Sequence, residues 1–167
     1  MKLLEMTKSL HRQVRGDLGR PHSHASERVG FVFCLLKGRT LRLTSYTSVP
    51  DELYIKDSTV GARINHQAIA MAMKKADHER LGILHVHEHW GTGIPQFSAT
   101  DLSSHSDFLR AFRTANPNAA HGFLLLSKDT LMARVWLPGE SIHRDIFRCD
   151  FSGKLSLVRL LRRILQI

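Results

Sequence analysis

Cysteine is almost missing from this chain: Cys34 and Cys149 are the only two in 167 residues, and they form no close-spaced pair. That excludes a disulfide framework and a cysteine-ligated zinc knuckle. Aromatic residues are sparse, at 7%, and do not interleave with the dispersed Arg and Lys residues, so the stacking platforms that grip single strands of nucleic acid are absent. No apolar run approaches the roughly 20 residues that span a bilayer. The opening MKLLEMTKSLHRQVRG has too few apolar residues for a secretory core, and a cytoplasmic protein is expected. No internal repeat and no low-complexity segment is found.

What is present describes one globular unit. The chain is 43% apolar and 23% charged, long enough for a well-buried core and too short for two ordinary domains. Acidic residues are outnumbered 15 to 24 by Lys and Arg, giving a net charge of +9. Basic chains often bind nucleic acid, but the dispersal of these charges argues against that as the main role. An acidic protein partner uses the charge more economically.

Periodicity supplies the elements. A short strand and then a helix fit residues 2–18, where Leu10, Val14 and Leu18 recur at helical spacing. A polar loop at 19–26 delivers Glu27 to an apolar strand at 29–36, and 40–48 alternates like its antiparallel partner. Residues 49–62 carry no clear pattern. A helix is expected at 65–76, a strand at 81–87, and a helix after Asp101 with Leu102, Phe108, Leu109, Phe112 and Ala115 on one face. Strands follow at 121–127 and 130–137, with another within 142–151. Strands mixed with helices, without regular βαβ alternation, predict an α+β fold: a mixed sheet flanked by helices. The division expected is a single domain over 1–151 and an amphipathic helix over 152–167. There Leu157, Leu160, Leu161, Ile164 and Leu165 share a stripe beside Arg159, Arg162 and Arg163. Such a helix could pack on its own sheet or mediate self-association.

The segment 85–101, HVHEHWGTGIPQFSATD, carries the chemistry. Alternate residues of a strand point to one face, so His85, His87 and His89 can enter one site. Asp101, arriving from the next helix, can add a carboxylate oxygen. Two imidazoles and a carboxylate, with a position left for water, make a catalytic zinc ligand set. Ser98-x-x-Asp101 is equally a capping box for the helix that follows.

Upstream, Glu27-Arg28-Val29-Gly30 precedes the apolar strand. The pieces ERVG, GILHVH and SATD, in that order, resemble the JAMM motif of the JAB/MPN metallopeptidases. That family shows Glu-x-x-Gly on an early strand, Gly-x-x-His-x-His at a strand end, and then Ser-x-x-Asp. The resemblance covers residues 25–137 and departs from the family in two places. Glu88 replaces the usual proline after His87. The gap to Ser98 is also longer than the family's: ten residues from His87, or eight from His89. Gly82-Ile83-Leu84-His85 matches the family's strand, and loops absorb insertions more readily than buried strands change register, so His85 and His87 are the preferred pair. Spacing alone favours His87 and His89, and that alternative stays open.

The resemblance implies an MPN/JAB-like, cytidine-deaminase-like sheet and one zinc ion per chain held by the two histidines and Asp101. It implies Glu27 as the base acting on the zinc's water and Ser98 as a donor to the oxyanion. The implied reaction is hydrolysis of the peptide or isopeptide bond after the C-terminal glycine of a ubiquitin-like protein. The chain is similar to stand-alone prokaryotic members, which implies a setting in ubiquitin-like protein processing or antiviral defence. Two alternatives remain at this stage: a catalytically silent MPN-type interaction scaffold, and a zinc amidohydrolase acting on a small peptide.

Overall fold

Each α-helix among the described residues starts at a side chain that caps its free N–H groups. A computed structural model describes residues 3–151. Helix α1 (Lys8–Leu18) is capped by Thr7, whose hydroxyl accepts from Leu10 N at 3.0 Å, and it buries Leu10, Val14 and Leu18. Helix α2 (His66–Glu79) is capped by Asn65 and turns Ala68, Ala72 and Ala76 inward. Those small side chains let it lie close to the sheet. Helix α3 (Ala99–Ala115) opens with a complete capping box between Ser98 and Asp101.

The strands are β1 (Leu3–Glu5), β2 (Val29–Lys37), β3 (Thr40–Ser48), β4 (Gly82–Glu88), β5 (His121–Leu126), β6 (Leu131–Trp136), β7 (His143–Ile146) and β8 (Cys149–Asp150). They form one mixed sheet in the order β7-β6-β5-β4-β2-β3-β1-β8. β2 pairs antiparallel with both β3 and β4, while β4 and β5 run parallel and are joined through α3. The chain passes from β7 at one edge to β8 at the other in two residues, which requires the sheet to curl.

The alternation of β2 and β4 divides the core. Val32, Cys34, Leu84 and Val86 face α1 and join Leu10 and Val14. Val29, Phe31, Phe33 and Ile83 face the other way and pack with the α2 alanines and Phe112. The result is α1 on one side of the sheet and α2 with α3 on the other. Gly82 is required by close approach: a Cβ there would lie 1.9 Å from the carbonyl oxygen of Ala120. No helix among the described residues is long and apolar enough to cross a membrane.

The strand and helix positions follow the sequence pattern closely, with two differences. The expected buried face of α3 included Leu102, but Leu102 is exposed and His105 is buried in its place. The last strand region is two short strands, β7 and β8, rather than one. Residues 49–62 contain a turn of 3-10 helix, Asp51–Leu53, and then a loop. The amphipathic stripe expected at 152–167 lies outside the described residues.

Candidate metal centre

Register brings Glu27 to the histidines. β2 and β4 pair antiparallel with Val29 opposite His87, Phe31 opposite His85 and Phe33 opposite Ile83. Extending that register by one further pair of same-face positions sets 27 opposite 89. Positions 29, 31, 33 and 83 face α2 and α3, so 27, 85, 87 and 89 share that side by the same period of two. Asp101, in the first turn of α3, looks onto the same ground.

The donor atoms meet closely. Glu27, His87 and His89 offer ligand atoms that all lie within 4.8 Å of one another. The Nε2 atoms of His87 and His89 are 3.2 Å apart. Asp101 completes the group, with Oδ1 at 3.2 Å from His87 Nε2 and Oδ2 at 3.5 Å from His89 Nε2. Side-chain exposure rises from 4% at His87 through 18% at Asp101 to 26% at His89, so the group opens outward. It sits in a cleft of about 860 Å³ between α3 and the loop at 57–64.

Both flanks of the group are tied down. The guanidinium of Arg28, a buried residue, pairs with Asp51 through two bonds of 2.7 and 3.1 Å and donates to the carbonyls of Arg20 and Pro21. Val29 N donates to the Tyr54 hydroxyl at 2.9 Å. These contacts fix the chain immediately after Glu27. On the other flank, the loop at 89–98 is pinned to the β5–β6 turn. His89 N donates to Leu126 O, Lys128 N to Gly91 O, Gly93 N to Asp129 Oδ1 and Ser127 Oγ to Gly93 O, at 2.7–2.9 Å. Gly93 adopts a left-handed backbone with φ of 80°, which suits glycine. Glu88 points to the opposite face of the sheet, where it pairs with Arg15 at 2.5 Å.

The remaining sequence candidates have defined places. His85 is half-buried, its ring stacked on Phe108 at 4.7 Å and edge-on to Phe31 at 5.7 Å. Burial, then the neighbouring His87, pushes its pKa down to about 3 and keeps it neutral. Of the two pairings read from the sequence, His87 and His89 are the ones whose Nε2 atoms meet; the His85 ring lies 6.0 Å from that of His87 on the same face. Ser98 caps α3 and directs its hydroxyl to Asp101 Oδ2 at 2.8 Å, while Ser98 N donates to the same oxygen at 2.7 Å. Burial would raise the Asp101 carboxyl, but the hydrogen bonds from His87 and Ser98 prevail and hold it well below the usual carboxylate range.

Three participants escaped the sequence reading. Arg28 read only as part of ERVG, yet it anchors the segment carrying Glu27. His105 stacks on Phe123 with centroids 3.6 Å apart, and burial followed by Arg134 lowers its pKa to about 4. The loop at 55–63 passes over Glu27; only its Asp, Thr and Gly residues, as turn formers, hinted at a built loop.

The donor set suits zinc. Tetrahedral bonds of 2.0–2.1 Å place neighbouring ligand atoms about 3.3–3.4 Å apart. The 3.2 Å between the two imidazole nitrogens is close to that spacing, and Asp101 offers one oxygen to each of them, Oδ1 at 3.2 Å and Oδ2 at 3.5 Å. The carboxylate is ionised and both Nε2 atoms are turned toward it, so the group presents donor atoms that a cation could share. Compared with known proteins, this chain matches no family model and no curated protein.

Proposed function

We propose that this chain is a zinc-dependent amide hydrolase of the JAB/MPN type, with an MPN-like fold. Its substrate on this reading is the peptide or isopeptide bond after the C-terminal glycine of a ubiquitin-like protein. The observation that carries the reading is the convergence of Glu27, His87 and His89 within 4.8 Å, closed by Asp101. The order of the ERVG, GILHVH and SATD pieces supports it.

His87, His89 and Asp101 hold the ion. When bound, zinc supplies Lewis acidity and a water acidic enough to attack at neutral pH. Glu27 stands beside these ligands and acts as the base. It takes a proton from the attacking water as the water oxygen bonds to the carbonyl carbon. The C–N bond then breaks, and Glu27 delivers that proton to the departing amine. Ser98 keeps Asp101 oriented; turning its hydroxyl toward the cleft makes it a donor to the oxyanion. The surplus of positive charge on the chain favours a partner with an acidic surface.

The test is cleavage of a ubiquitin-like protein carrying a fluorogenic amide at its terminal glycine, by zinc-loaded parent and Glu27→Gln. The variant should keep its zinc and lose activity by roughly 10²–10⁴-fold, the usual range for a general base. Equal cleavage by both removes Glu27 from the chemistry. Equal cleavage of a short glycyl amide and of the protein substrate points instead to small peptides.

A further inference from the structure

Residues 55–63 form a loop closed at its base and laid across the segment that carries Glu27. The base is a bridge between Tyr54 and Ile64, reinforced by Ile55 N donating to Arg63 O at 2.7 Å. Within the loop, Asp57 accepts from Thr59 N at 2.9 Å and Thr59 Oγ1 at 2.6 Å, and pairs with Arg63 at 3.0 Å. Gly61 lies at the crossing. Its carbonyl accepts from Ser26 N at 2.9 Å, Glu27 N at 3.1 Å and Ser26 Oγ at 3.2 Å.

A Cβ built on Gly61 would fall 2.6 Å from Glu27 Cδ, 2.6 Å from Oε2 and 3.0 Å from Oε1. Separations that short are not sustained, so something must move. The backbone gives no reason for glycine here: among the described residues the left-handed glycines are Gly38, Gly93 and Gly139, and Gly61 is not one of them. The three atoms nearest to that Cβ all belong to the Glu27 carboxylate.

We propose that Gly61 is a positioning residue, whose missing side chain leaves the space in which the Glu27 carboxylate sits beside His87 and His89. The inference rests on the reading of those residues as a metal centre. Because the atoms that would be displaced are the tip of a flexible side chain, an added methyl shifts the carboxylate and spares the loop. Its effect falls on the surroundings of the metal rather than on the fold.

The experiment loads Co²⁺ into the parent, Gly61→Ala, Glu27→Ala and the double variant, and records the visible d–d spectrum and the melting temperature of each. Gly61→Ala should bind Co²⁺ and melt within a few degrees of the parent, with its bands moved from the parent pattern. In the Glu27→Ala background the same substitution should change neither spectrum nor melting temperature, since no carboxylate is left to displace. Should Gly61→Ala fold poorly, recovery of folding in the Glu27→Ala background supports the same contact. A Gly61→Ala spectrum identical to the parent's overturns the role of Gly61 and leaves the metal centre standing. So does an effect, on spectrum or folding, that persists without Glu27. A parent that takes up no Co²⁺ removes the metal reading, and this inference with it.

Discussion

The three histidines of β4 and its extension differ in what surrounds each ring. His87 and His89 face each other and Asp101, whereas His85 is stacked on Phe108. Zinc content after substitution separates these roles. His89→Ala should lose the ion, while His85→Ala should retain it and lose about 1–2 kcal/mol of stability, less than a fully buried large-to-small change costs. Retention in His89→Ala and loss in His85→Ala would shift the ligand set one step down the strand. His105 answers to pH. Its pKa falls from 6.5 to about 4, so its neutral form belongs to the folded state. Stability is full above pH 6.5 and is lost as pH falls toward 4, because in that window only the unfolded chain takes up the proton. In metal-free protein, His105→Phe keeps a ring on Phe123 and should recover on the order of 1–3 kcal/mol of the acid loss. Equal melting-temperature drops from about pH 7 to about pH 4.5 in parent and variant would remove His105 as a cause.

Elements were readable where a period was strong. Leu10, Val14 and Leu18 announced α1, and the alternation of 40–48 announced β3, because each buries one face. The burial of α3 was misread at Leu102, since an apolar residue near a helix start can point past the sheet while a neutral histidine fills the buried position. The choice between histidine pairs was not legible either. Both pairs alternate correctly, and what separates them is how the loop at 89–98 closes, which depends on long-range bonds to Ser127 and Asp129. That pinning is testable. Ser127→Ala removes the bond to Gly93 O and the acceptor for Thr130 N, and should cost about 1–2 kcal/mol. Limited proteolysis should then cut within 89–98 sooner than in the parent, and an unchanged cleavage pattern would show that the loop is held by other means.

At the scale of the whole molecule, one sheet does two jobs. Its α1 face is an ordinary core, and its other face is core at one end and a cluster of polar donors at the other. The same alternation that buries Phe31, Phe33 and Ile83 carries on to place His87 and His89, and pairing with β2 brings Glu27 to them. The α+β class and the candidacy of Glu27, Asp101 and the alternating histidines were legible because the period of two and the cap of α3 are local, whereas the choice of His89 over His85 was not. The curl of the sheet and the loop over Glu27 were not, since both depend on contacts between distant segments. Every role given to these residues depends on their forming a metal site. Equilibrium dialysis against buffered Zn²⁺, read by elemental analysis, tests it directly. The parent should bind one ion per chain, while His87→Ala and Asp101→Ala, shown to be folded, should bind none. A metal-free parent, or stoichiometric zinc in both variants, would contradict it.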